Sequence, residues 1–114
     1  MVAPMAITDL SPKQFAAKAG DAAALLKALA HEARLMVLCQ LVEGEHSAGA
    51  LQEMSGLSQS ALSQHLARLR EDGLVDTRRE AQTIYYSLAD DKAARVLETL
   101  ASIYCPPTKK RSSK

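Results

Sequence analysis

The chain is 114 residues long, 47% hydrophobic, 24% charged and 4% aromatic, a composition suited to one soluble globular domain. Lys and Arg number 14 against 13 Asp and Glu, a net charge of +1; this excludes a globally basic nucleic-acid binder but not a local basic face. A chain of this size buries only about 65% of its unfolded surface, so a partner subunit would help it.

Helix signals begin at Ser11-Pro12-Lys13-Gln14, which reads as an N-cap, a Pro at the first helical position and a Gln three residues after the cap. An Ala/Leu-rich first helix follows, and Gly20-Asp21 predicts a bend or break in it. A second helix covers His31–Val42, with Leu35, Leu38, Cys39 and Val42 at helical spacing, and Gly44 stops it. Residues 47–55 predict a short helix anchored by Leu51 and Met54 and ended by Gly56. Ser58 caps a longer helix to about Asp72, whose apolar set is Ala61, Leu62, Leu66 and Leu69, closed by Gly73. The period then changes from 3.6 to 2. Strands are predicted over 75–79 and 82–88, with Ile84, Tyr86 and Leu88 on one face and Thr83, Tyr85 and Ser87 on the other. Asp90-Asp91 opens a last helix carrying Ala93, Leu97, Leu100, Ala101 and Tyr104, and Cys105-Pro106-Pro107 ends it. Residues 1–10 and the basic tail 106–114 are expected to be disordered, leaving 11–105 as the single domain.

The fold class is therefore mainly α with a β-hairpin: two helices joined by about three residues including Gly56, then a hairpin, which is a winged helix-turn-helix order. The second helix of such a pair needs an apolar face for docking and a short polar face for the major groove. Leu62, Leu66 and Leu69 supply the first; Gln59, Ser60, Ser63 and Gln64 supply the second. Gln can bond adenine bidentately, and Ser serves phosphates or several bases. Arg68 and Arg70 late in the helix, and Arg78 and Arg79 in the first hairpin strand, suit phosphate contacts, with Gln82 beside them in the hairpin. Double-stranded DNA is the expected partner.

The stretch LSQSALSQHLARLREDGLVDTRREAQTIYYSL resembles the helix-turn-helix and wing of the ArsR/SmtB winged-helix repressors, and KALAHEARLMVLCQL resembles that family's second helix. The likeness covers about residues 15–105 and is most specific over 57–74. It implies a homodimer formed through the first and last helices, an operator with two-fold symmetry, and DNA-facing or helix-end positions for Gln59, Ser60, Ser63, Gln64 and His65. Many members of that family sense metals, through a Cys pair in the short helix or Asp/His/Glu clusters on the last one. Here the short helix reads SAGALQEMSG, the last helix has no His, and His31, His46 and His65 are far apart in sequence. No metal site and no cofactor are expected. His31 reads as a helix-start residue, His46 as a loop residue and His65 as a helix-surface or DNA-proximal residue.

Two cysteines remain, Cys39 and Cys105. No stretch approaches the roughly 20 apolar residues of a membrane span, and MVAPMAITDL lacks the pattern of a signal peptide. A cytoplasmic location follows as an expectation, with both cysteines as thiols at rest. Read from the residues alone they are two small buried apolar groups, Cys39 on an apolar helix face. The placement of the pair, with RREAQTIYYSL in the wing and YCPP after the last helix, resembles the sulfur-responsive BigR/SqrR/HlyU branch. That resemblance implies that the two cysteines react with persulfide, polysulfide or another oxidant, become linked within one subunit through sulfur, and so release DNA. Three other readings stand beside it: a metal-responsive repressor, which the missing ligand clusters oppose; a thiol-disulfide enzyme, which the lack of a C-x-x-C motif opposes; and a protein-interaction module that does not bind DNA. No catalytic motif is evident, so an enzyme is not expected.

Overall fold

The computed structural model describes residues 9–105; the tail 106–114 and all of the first segment but Asp9 and Leu10 lie outside that range. The chain divides into two compact units between Ala30 and His31.

The first unit carries helix α1, Pro12–Leu29. Ser11 accepts from the Gln14 N–H at 3.1 Å, and the Gln14 side chain accepts from the Ser11 N–H at 2.9 Å. This capping box satisfies donors that a helix start leaves open. The expected break at Gly20-Asp21 does not occur: α1 runs through both. A helical Gly costs about 1 kcal/mol relative to Ala, and Ala and Leu neighbours offset that.

The second unit is built on α2, Glu32–Val42. Then come β1 (His46–Ser47), α3 (Ala48–Ser55), α4 (Gln59–Glu71), β2 (Val75–Glu80), β3 (Thr83–Leu88) and α5 (Asp91–Tyr104). Val37, Leu38 and Leu41 of α2 are fully buried, and α2 packs on α3, α4, β3 and α5. Leu51, Leu62, Leu66, Leu69, Leu74, Val75, Ala93 and Leu97 complete this core. Each fully buried Leu or Val contributes roughly 2 kcal/mol of transfer free energy.

The sheet has three antiparallel strands in the order β1-β3-β2, not the expected hairpin alone. His46 pairs with Tyr86 and Ser47 with Tyr85, so His46 is a strand residue rather than a loop residue. Two residues are too few for a period-2 signal. Across the other side, Thr77 faces Tyr86, Arg78 faces Tyr85 and Arg79 faces Ile84. That register puts Ile84, Tyr86 and Leu88 on the face of buried Val75, as the alternation predicts.

The β2–β3 connection is Ala81-Gln82, which moves Gln82 from the predicted strand into the loop tip. Ala81 has φ +57°, the one non-Gly residue among those described with positive φ. An L-residue with a Cβ is strained there by roughly 1–2 kcal/mol. Ala81→Gly relieves that strain and loses part of the gain to unfolded-chain entropy. Urea unfolding should show a net rise of about 0.5–1 kcal/mol; a fall would refute the strain.

Candidate nucleic-acid interface and paired thiols

The α3–α4 turn is set by local chemistry. Gly56 adopts φ +74°, the left-handed cap that lets α3 end within one residue. Ser55 accepts from the Leu57 N–H at 3.2 Å and donates to the Gln52 carbonyl at 3.3 Å. Ser58 caps α4 by accepting from the Ala61 N–H at 3.1 Å. At the far end Gly73, also at φ +74°, donates to the Arg70 carbonyl, and Leu74 donates to the Leu69 carbonyl at 2.9 Å. That paired pattern is a Schellman closure, and it delivers the chain into β2 with Leu69 and Leu74 both buried.

With both ends fastened, burial of Leu62, Leu66 and Leu69 sets the rotation of α4. Gln59, Ser60, Ser63, Gln64, Arg68 and Arg70 are then all exposed. At 100° per residue Ser60, Gln64 and Arg68 lie opposite the buried stripe, while Gln59, Ser63 and Arg70 flank it. Ser60, Ser63 and the exposed Ala67 are short, so the helix can approach a surface closely. An open groove beside them is lined by Ser63, Leu66, Ala67, Arg70 and Glu71 of α4 and by Tyr86 of β3. In the sequence Tyr86 is only a strand-face residue and Ala67 carries no signal, since only folding brings the helix and β3 together.

The arginines differ in their engagements. Arg68 lies 3.7 Å from Asp72 on the same helix, a loose and exposed pair. Arg70 and Arg79 are exposed and have no carboxylate within ion-pair distance among the described residues. Arg78 is bound to Glu45 and Glu80. The Arg78 bond holds the Glu45 carboxyl below the usual carboxylate range.

His65 is half-buried and packs on His31, with ring centroids 4.8 Å apart and planes tilted by 55°. His31 is the N-cap of α2, its Nδ1 accepting from the Ala33 N–H at 3.2 Å. The imidazole pair thus ties the start of α2 to the middle of α4, a link concealed by a separation of 34 positions. Among the described residues no group of three or more His, Cys, Asp or Glu is arranged to hold a metal ion.

Cys39 and Cys105 are both exposed, contrary to the apolar face expected for Cys39. The core face of α2 is Val37, Leu38 and Leu41, and Cys39 lies on the other side of the helix with exposed Met36. Cys105 is the C-cap of α5, which packs on α2. Partial burial pushes the Cys39 thiol up, and the nearby Cys105 sulfur adds to the effect.

Residues 31–77 match the family described as bacterial regulatory protein, arsR family. The biofilm growth-associated repressor of Agrobacterium fabrum is 49% identical over 104 residues, 91% of this chain and 89% of the relative. The chain belongs to the ArsR family of bacterial regulatory proteins. The transcriptional activator HlyU of Vibrio cholerae is 47% identical over 103 residues, 90% of this chain and 91% of its own. The structure of reduced HlyU superposes with a TM-score of 0.78 at 48% identity, covering 82% of this chain and 98% of that one. The homodimeric winged helix-turn-helix DNA-binding domain Mb0332 from Mycobacterium bovis matches with a TM-score of 0.67 at 32% identity, over 82% and 86% of the two chains. In this ArsR-family chain α3 and α4 are the helix-turn-helix and β2–β3 the wing. It is a winged helix-turn-helix transcription regulator, and its relatives are not enzymes.

Burial lowers the His65 pKa first, and the positive charges of His31 and Arg34 lower it further. A folded pKa below the unfolded value makes the unfolded chain the better proton binder, so stability is complete above about pH 6.5 and declines as pH falls below it. Thermal unfolding of His65→Gln should show a flatter stability profile than the unaltered protein between about pH 6.5 and 5. Parallel profiles would remove His65 from this account.

Proposed function

We propose that the chain is a homodimeric cytoplasmic repressor that grips a two-fold-symmetric operator and lets go when Cys39 and Cys105 of one subunit are joined through sulfur. The observation that carries this reading is the exposure of both thiols on two helices packed on each other, α2 and the end of α5. Exposed apolar side chains on α1 (Phe15, Leu26) and α5 (Ile103, Tyr104) support a subunit contact through these two helices. Gln59, Ser60, Ser63 and Gln64 enter the major groove, His65 lies behind them at the helix side, and Arg68, Arg70, Arg79 and Gln82 meet the backbone. Two such helices would sit about 34 Å apart on successive major grooves.

The sulfur chemistry balances with persulfide as the only oxidant. Burial, with the nearby Cys105 sulfur, disfavours the Cys39 thiolate, and the first attack is assigned to Cys105. The Cys105 thiolate takes the outer sulfur of one RSSH, forming Cys105–S–SH and releasing RSH. A second RSSH, reduced to RSH and H₂S, allows Cys39 to close a Cys39–S–S–S–Cys105 bridge. A direct disulfide would form in the same way from one RSSH. A 100-fold loss of operator affinity needs only about 2.7 kcal/mol of coupling between the bridge and the DNA-binding state. A strap between α2 and α5 suits that scale, since α2 contacts α4 directly.

Cys39→Ser and Cys105→Ser should each bind an operator selected from random duplexes as the unaltered protein does. Neither should release it on persulfide treatment, while mass spectrometry of the unaltered protein should show the linked pair. Release from either single variant would defeat the two-thiol switch, and no DNA selected at all would defeat the repressor reading.

A further inference from the structure

Arg78 is gripped by groups from three segments. Its Nε donates to Glu45 Oε2 at 2.9 Å and its Nη2 to Glu45 Oε1 at 2.8 Å. Its Nη1 donates to Glu80 Oε1 at 3.3 Å, and its guanidinium carbon lies 4.5 Å from the centre of the Tyr85 ring. Glu45 immediately precedes β1, Glu80 ends β2, and Tyr85 is Arg78's cross-strand partner in β3. One planar side chain therefore spans the sheet from β2 over β3 to the segment entering α3.

This geometry is poor for phosphate binding. Two carboxylates oppose one guanidinium, so the cluster as a whole is anionic, and the donors that would meet a phosphate fork are already aimed at Glu45. Arg79 points to the other face of β2, at the loop end, and has no carboxylate partner among the described residues. The Arg78 side chain is half exposed, so these pairs add little to global stability. Their effect is orientational: a bidentate fork stacked on an aromatic ring has few alternative positions. We infer that Arg78 is a positioning residue that locks the wing to the entrance of the helix-turn-helix, and that backbone contact in the wing falls to Arg79. This deepens the DNA-binding reading and rests on it.

The test is binding to a labelled mixed-sequence duplex of about 30 base pairs at several salt concentrations, where the slope counts phosphate contacts. Arg78→Ala and Glu45→Ala should each raise Kd about three- to tenfold, with the double variant no weaker than either single one and all slopes unchanged. Arg78→Lys should fail to restore affinity, because an ammonium cannot span the Glu45 carboxylate. Arg79→Ala should flatten the slope by about one unit. An Arg78→Ala slope flatter by about one unit, or tighter binding by Glu45→Ala, would overturn the inference and leave the regulator reading intact. Salt-independent binding by the unaltered protein would instead remove the proposed operator-binding reading and this inference with it.

Discussion

Burial of one face of α2 is the constraint on which the second unit depends. Val37, Leu38 and Leu41 lie within reach of α3, α4, β3 and α5, so a single eleven-residue helix is the common wall of the core. Interiors packed to crystal-like density transmit displacement instead of absorbing it. A shift of that helix bears directly on α4, which it contacts. The opposite side of α2 carries Cys39, so the helix that contacts four other elements also presents a thiol to solvent.

The DNA-reading helix shows the same economy of means. Three leucines fix its rotation, two capped glycine turns fix its ends, and the tilted His31–His65 contact adds a lateral fastening to α2. The polar arc contributes no side chain to the buried core. Gln59, Ser60, Ser63 and Gln64 are exposed and can therefore vary while the scaffold stays constant.

Most of this architecture is legible in the residues. Ser11 and Ser58 read as N-caps and are N-caps, and glycines 56 and 73 mark the helix ends, because capping is local chemistry; Ser47 and Asp90, read only as helix starts, prove to be caps as well. The leucine stripe of α4 and the faces of β3 follow from period alone. What escapes is non-local. Strand β1 has only two residues and its partner lies 40 positions away, so no periodicity reveals it. The solvent side of Cys39 escapes because Leu35, Leu38 and Val42 suggest an apolar face centred elsewhere than the one Val37, Leu38 and Leu41 bury. The engagement of Arg78 is half legible: Glu80 shares its face at a spacing of two, while Glu45 reaches it only through the sheet. Ala81 offers no turn signal at all, being a residue the left-handed conformation disfavours.

The two rims of the sheet have one further consequence. One rim is a strand of two residues, and the other, β2, alternates charged and polar groups: Asp76, Thr77, Arg78, Arg79 and Glu80. Unpaired backbone along a strand invites a foreign strand to add on, and shortness and charge are what discourage it. Neither rim of the sheet is thus a good template for a foreign strand.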